Sequence, residues 1–222
     1  MSMRSHPSSF GREDSRYAEG RAIKGAGDVV MYRLLRAGAL IAGIVGIAMP
    51  AMAHPGHTES GFLHPFTGYD HLLAMVGAGM WAAFLAERRP SAAFLMPAAF
   101  MLMMAVGAAA GFAGIKVPLA EAGVLASVFM LGGLVMAAVR VPITTAVIVV
   151  GWFAMLHGYA HAMDSPAEDP GTYIVGFLAA TAILHSIGLA LGWLAQRAIG
   201  DIGMRALGCL VVAGGALVLV SP

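Results

Sequence analysis

Two short stretches carry metal-binding side chains where lipid is expected. His64-Pro65-Phe66-Thr67-Gly68-Tyr69-Asp70-His71 opens an apolar run, and His157-Gly158-Tyr159-Ala160-His161 closes another. Imidazole and carboxylate donors without a thiolate suit borderline divalent ions: nickel, cobalt, zinc and, less well, copper. His157 and His161 are spaced i, i+4 and share one face of a helix. His64 and His71 are spaced i, i+7. With a helix starting at Pro65, a favourable first position for proline, they lie two turns apart on one face. Asp70 sits about 100° round from His71. A His-x3-His spacing is weak evidence alone, so the depth of these residues has to carry the argument.

A membrane span needs about 20 residues. Leu72 to Ala86 provides 15 and Ile143 to Leu156 provides 14, so Asp70, His71 and His157 are drawn into their spans. His161 lies one turn further out. His185 sits mid-segment among Ile183, Leu184, Ile187 and Leu189, and Glu121 lies near the start of another segment. A central Asp costs about 2.5–3.5 kcal/mol on insertion scales, so such groups face the bundle interior and find partners. One buried histidine is usually a neutral donor to a backbone carbonyl. Five or six ionisable groups together point to a site.

The elements that must position them are membrane helices. The chain is 59% hydrophobic and 11% charged, with 29 glycines, too apolar for a soluble domain and rich in the small residues that let membrane helices approach. The predicted fold is all-α: a polytopic bundle with six transmembrane helices, at about 64–86, 92–114, 118–139, 142–161, 171–195 and 202–220, within a domain spanning 64–222. Short connections predict antiparallel neighbours. Arg88, Arg89, Arg140, Arg197 and Arg205 fall in alternate loops opposite Lys116, which by the positive-inside rule makes theirs the cytoplasmic side. The loop at 162–170 holds Asp164, Glu168 and Asp169 and no cation, as an external loop allows. The expected setting is the bacterial inner membrane, with both mature termini periplasmic.

Residues 1–30 form a polar extension. Residues 31–53 read as a secretory signal peptide, with Arg33 and Arg36, an apolar core from Ala37 to Ala48, and Ala51-Met52-Ala53 before the cut. Met31 sits where such a peptide starts, which points to translation beginning there. An uncleaved first helix is the alternative. Cleavage after Ala53 gives a periplasmic stretch, 54–63, starting His54-Pro55-Gly56-His57. Its terminal amine and imidazole can chelate one ion, although a flexible terminus that happens to hold histidine reads equally well. Pro55 has no amide proton for a further ligand.

The body from residue 54 carries six Lys/Arg against eight Asp/Glu, so the basic excess is in the leader and no nucleic-acid surface is expected. Cys209 is the single thiol, which rules out an intrachain disulfide or a thiolate cluster. There is no P-loop and no His-Glu-x-x-His, so no nucleotide partner and no zinc-protease chemistry is expected. Most of the 16 methionines lie in apolar runs and read as packing rather than copper(I) ligands. Trp81, Trp152 and Trp193 read as packing or interfacial anchors.

These motifs resemble the HupE/UreJ family, hydrogenase and urease accessory proteins regarded as nickel or cobalt permeases. The first carries the likeness in His54-Pro55-Gly56-His57 and in His64, Pro65, Gly68, Asp70, His71, Ala74 and Met75. The second family pattern, Phe-His-Gly-x-Ala-His-Gly-x-Glu, is matched more loosely by Leu156 to Asp164, with Leu156, Ala162 and Asp164 as departures. The resemblance implies functional roles for His64, Asp70, His71, His157 and His161, with Glu121 a match in the third segment. His185 is added on burial, and Asp164 supplies either a ligand or external charge. It further implies a secondary transporter importing Ni2+ or Co2+ as substrate, with no prosthetic group, and the bilayer and a divalent ion as partners. A homo-oligomer is compatible with it. A membrane metalloenzyme using Asp70 or Glu121 as base, and a metal-binding sensor or accessory subunit, are the alternatives at this point.

Overall fold

The computed structural model describes residues 61–165 and 169–220. The extension, the stretch read as a signal peptide, His54, His57 and Glu168 lie outside the described residues. All regular structure among the described residues is helical: α1 (His64–Thr67), α2 (Tyr69–Ala86), α3 (Ala92–Phe112), α4 (Ala120–Met136), α5 (Ile143–Asp164), α6 (Pro170–Ile199) and α7 (Asp201–Val220). Helices α3, α5, α6 and α7 are long and apolar enough to cross a membrane, and α4 is apolar but shorter. Phe94, Leu102, Ile148, Val175, Ile202 and Leu217 point outward on these helices, an apolar perimeter that suits hydrocarbon and not water.

One expectation is corrected. A single helix over 64–86 does not form. Gly68 adopts an extended conformation (φ −77°, ψ 103°), which ends α1 and starts α2. Pro65 still occupies the first turn of α1. The second difference is length: α6 continues past 195 to Ile199, and Gly200 at φ 64° allows α7 to begin at once. Asp169 caps α6 and accepts the Thr172 N–H at 3.1 Å. Hydrogen bonding from Thr172 holds this exposed carboxyl below the ordinary range, and Pro170 follows it at a position with no amide to satisfy.

Glycines decide which helices pair. Methyl groups built on Gly107 and Gly158 would overlap the backbone carbonyls of Met155 and Met104, so α3 and α5 touch backbone to backbone. Gly79 and Gly188 do the same for α2 and α6, against the carbonyls of His185 and Val76. Gly208 packs on the Met136 backbone and Gly215 on Val128, joining α4 to α7. Successive contacts run in the same direction for α3/α5 (Gly107 at Met155, Gly111 at Ala162) and for α2/α6 (Gly79 at Gly188, Ala83 at Gly192). They run in opposite directions for α4/α7. The chain therefore does alternate in direction, but its most intimate pairs are not sequential neighbours, as the short connections had suggested. Helix α2 touches every other helix and is the axis of the bundle.

At the end opposite His64, three turns are tied together. Arg140 Nη2 lies 2.9 Å from Glu87 Oε2 and 3.5 Å from Asp201 Oδ1. Its guanidinium covers the Phe84 ring at 3.9 Å, and the buried Trp81 donates Nε1–H to the Val139 carbonyl at 3.0 Å. Arg88, Arg89, Arg197 and Arg205 belong to this same end, and Lys116 lies in the turn at the other.

The packing makes opposite predictions for one substitution at two sites. Gly158→Ala should lower the melting temperature in detergent, because overpacking costs about 1–3 kcal/mol. At Gly133 an added methyl meets nothing within 4 Å, so Gly133→Ala should leave melting unchanged or raise it, as removal of an unneeded helix glycine gains about 0.5–1 kcal/mol.

Candidate metal site

The sequence folds two turns of α1 and α2 and the last turns of α5 against the start of α6. Gly68 turns the chain so that His64, on α1, meets His71, on α2, with ring centroids 5.7 Å apart. The close α3/α5 contact at Gly158 sets α5 deep in the bundle, and the flanking His157 and His161 are both fully buried. His161 lies 5.0 Å from His64 and 4.5 Å from His71, ring to ring. One donor atom from each of His64, His71 and His161 falls within 4.8 Å of the others. Two nitrogens on one ion can be at most about 4.2 Å apart at bond lengths of about 2.1 Å, a separation close to that of this group.

Hydrogen bonding sets which nitrogen each ring offers. Asp70 Oδ1 accepts from the His71 backbone N–H at 2.8 Å and stands 2.7 Å from His71 Nδ1. An ionised carboxylate only accepts, so Nδ1 carries the proton and Nε2 keeps its lone pair. A carboxylate behind a ligand imidazole both orients the ring and raises its basicity. His157 Nδ1 donates to the Phe153 carbonyl at 2.9 Å, again leaving Nε2 free to accept. Nε2 of His71, Nε2 of His157 and both ring nitrogens of His161 are buried without a hydrogen-bond partner. Unsatisfied buried polar atoms are uncommon and costly, and here they lie on three neighbouring rings, His71, His157 and His161.

The remaining expected residues divide. Asp164 ends α5 at the mouth, exposed, with Oδ2 3.4 Å from His64 Nε2. His157 is next inward, its ring 5.1 Å from His71. His185 is buried further along α6 and is not part of the converging group. Glu121 opens α4 at the same end of the bundle but is exposed and lies outside the group. His54 and His57 are outside the described residues.

Aromatic neighbours were missed. Phe177 stacks on His161 at 4.9 Å with rings 9° apart, and Tyr173 sits 6.3 Å from His64. Phe100 packs against both His157 and His185. A signal existed: Tyr173, Phe177, Thr181 and His185 recur every four residues, which places them along one face of α6.

The orphaned nitrogens predict a stability test. His161→Phe removes one unpartnered N–H donor and one unpartnered acceptor nitrogen from a fully buried position, each costing about 1–3 kcal/mol when unsatisfied. The metal-free variant should melt at or above the wild-type temperature. Added nickel should then stabilise the wild type far more than the variant, read by thermal melting with and without the ion.

The family described as HupE / UreJ protein matches residues 42–218. Protein HupE of Rhizobium leguminosarum bv. viciae is 39% identical over 184 residues, covering 80% of this chain and 95% of the relative. No solved structure matches. The matched region takes in all the described helices but the last two residues of α7, and with them both histidine motifs: the chain belongs to the HupE/UreJ family.

Proposed function

We propose that the chain is a secondary transporter that imports divalent nickel, or cobalt, across the bacterial inner membrane for metalloenzyme maturation. The observation that carries this reading is the group His64, His71 and His161, whose ligand atoms lie within 4.8 Å of one another at one end of an apolar bundle, with buried, unpartnered nitrogens on His71 and His161. In this reading α1 with α2, and each of α3 to α7, make six spans. The arginine-rich end faces the cytoplasm under the positive-inside rule, so the histidine end and both mature termini face the periplasm.

The chemistry follows from the donors. Asp164 and the terminal histidines, His54 and His57, would raise cation concentration at the mouth. His64, His71 and His161 would then replace part of the ion's water shell, with Asp70 holding His71 in the metal-binding tautomer. His157 offers the next nitrogen inward, and Glu121 supplies charge at the same end. Neutral imidazoles with few carboxylates bind a borderline ion without the closed thiolate cage that would retain it. Because an imidazole must give up its proton to bind, acid on the mouth side weakens capture.

Purified protein in proteoliposomes should accumulate radioactive nickel, with cobalt competing. Asp70→Asn keeps the hydrogen-bond acceptor but loses its charge and should cost about 10–100-fold in affinity, the usual effect of altering the partner behind a ligand histidine. His71→Ala should abolish uptake in protein that still inserts. Wild-type vesicles that bind nickel yet never accumulate it would overturn the permease and favour a sensor.

A further inference from the structure

The histidine group does not end at its three converging members. Ring to ring, His71 leads to His157 at 5.1 Å, His157 to Phe100 at 5.6 Å, and Phe100 to His185 at 4.6 Å. Three of these four rings are imidazoles, and the fourth is an uncharged ring that contacts the last two. His185 takes no part in the outer group, so that site does not account for its chemistry.

His185 has the same preparation as His71 and His157. Its Nδ1 donates to the Thr181 carbonyl at 2.9 Å, which leaves Nε2 as a lone-pair acceptor. That nitrogen is buried with no hydrogen-bond partner, and the residue is 1% exposed. A residue placed there for packing alone would have no need of it. Its backbone is held by the α2/α6 contact, where Gly79 leaves room for the His185 carbonyl. One turn toward the His64 end, the Thr181 hydroxyl stands 3.4 Å from Met75 Sδ and 3.5 Å from Met104 Sδ. That hydroxyl has one proton, and the Phe177 carbonyl at 2.7 Å is its best acceptor. The thioether lone pairs are therefore not committed to it. Imidazole nitrogen with nearby thioether sulfur and no carboxylate is a softer donor set than the mouth presents.

We propose that His185 is a second ion station, which takes a borderline divalent cation such as nickel(II) or cobalt(II) from His157 past the edge of Phe100, with the sulfurs of Met75 and Met104 one turn away beside the Thr181 hydroxyl. The proposal rests on the permease reading and adds an inner stage to it. A softer inner station with no carboxylate would favour ions that shed water onto nitrogen and sulfur, and would reject magnesium and calcium, which demand oxygen.

The test uses the full-length protein in nanodiscs for binding and in proteoliposomes for flux. His185→Phe keeps a ring of similar shape and removes the nitrogen. Nickel affinity of the outer group should stay within about twofold of wild type, while uptake falls at least about tenfold, the lower bound for disturbing a metal-supporting residue. The metal-free variant should melt at or above wild type, since a buried unpartnered acceptor is gone. His185→Gln, polar but lacking an imidazole nitrogen, should lose uptake equally. Loss of affinity together with uptake would place His185 in a single site and overturn a second station. A lower melting temperature with uptake per folded molecule retained, in either variant, would make the residue structural and overturn it too. Wild-type vesicles that accumulate no nickel would overturn the permease reading and this stage with it, whereas wild-type and His185→Phe vesicles that accumulate it equally overturn the inner station alone.

Discussion

Direct contact between helix backbones is the constraint on which the rest of this structure depends. Lipid offers no hydrophobic force between spans, so association depends on close packing and on polar contacts. Here Gly107 and Gly158 bring α3 onto α5, and Gly79 and Gly188 bring α2 onto α6, at distances that any side chain would prevent. The functional residues are neighbours of these contacts. His157 precedes Gly158 in the chain, and the His185 carbonyl occupies the space that Gly79 leaves open. The imidazoles of His157 and His185 are thus carried on closely packed backbones, and their placement is set by glycines.

A second physical theme is the asymmetry of each histidine ring. Asp70, the Phe153 carbonyl and the Thr181 carbonyl each stand at an Nδ1. Each can only accept, so each imposes the same tautomer and leaves Nε2 as the donor to a cation. Three rings on three helices solve one problem with the means at hand: a carboxylate near the polar end, and helix carbonyls four residues back where a second carboxylate would be costly to bury. His161 is the exception. It has no such partner and is held by stacking on Phe177 instead.

Much of this was legible beforehand. Short apolar runs before His157 and after His71 placed those residues inside the bundle, because span length is a hard requirement of the bilayer. The helix order followed from the same rule, and the segment ends fell within about four residues of the expected ones. The break at Gly68 was not legible, since a single glycine after a proline-initiated turn fits a continuous helix equally well. Pairing was not legible either: short connections fix direction, whereas partners are chosen by where glycines face each other across the bundle. Glu121 shows the limit of depth arguments. Its position along α4 was read correctly, but which way it points depends on helix rotation, and the structure leaves it exposed. The aromatic residues lay in a four-residue repeat on α6 whose meaning emerged only when His161 and His64 were seen beside it.

The pairing of α2 with α6 has a bearing on how the protein is made. Half the chain separates Gly79 from Gly188, so α2 leaves the ribosome well before the helix that covers it. During that interval Asp70 and His71 lack α6 as a neighbour. Final seating of α2 then waits for synthesis of α6, which makes the packing around His71 and His161 a late event in biogenesis. A nascent chain truncated before α6 would carry His64, His71 and His161 yet lack the Gly79/Gly188 contact and the Phe177 ring on which His161 stacks.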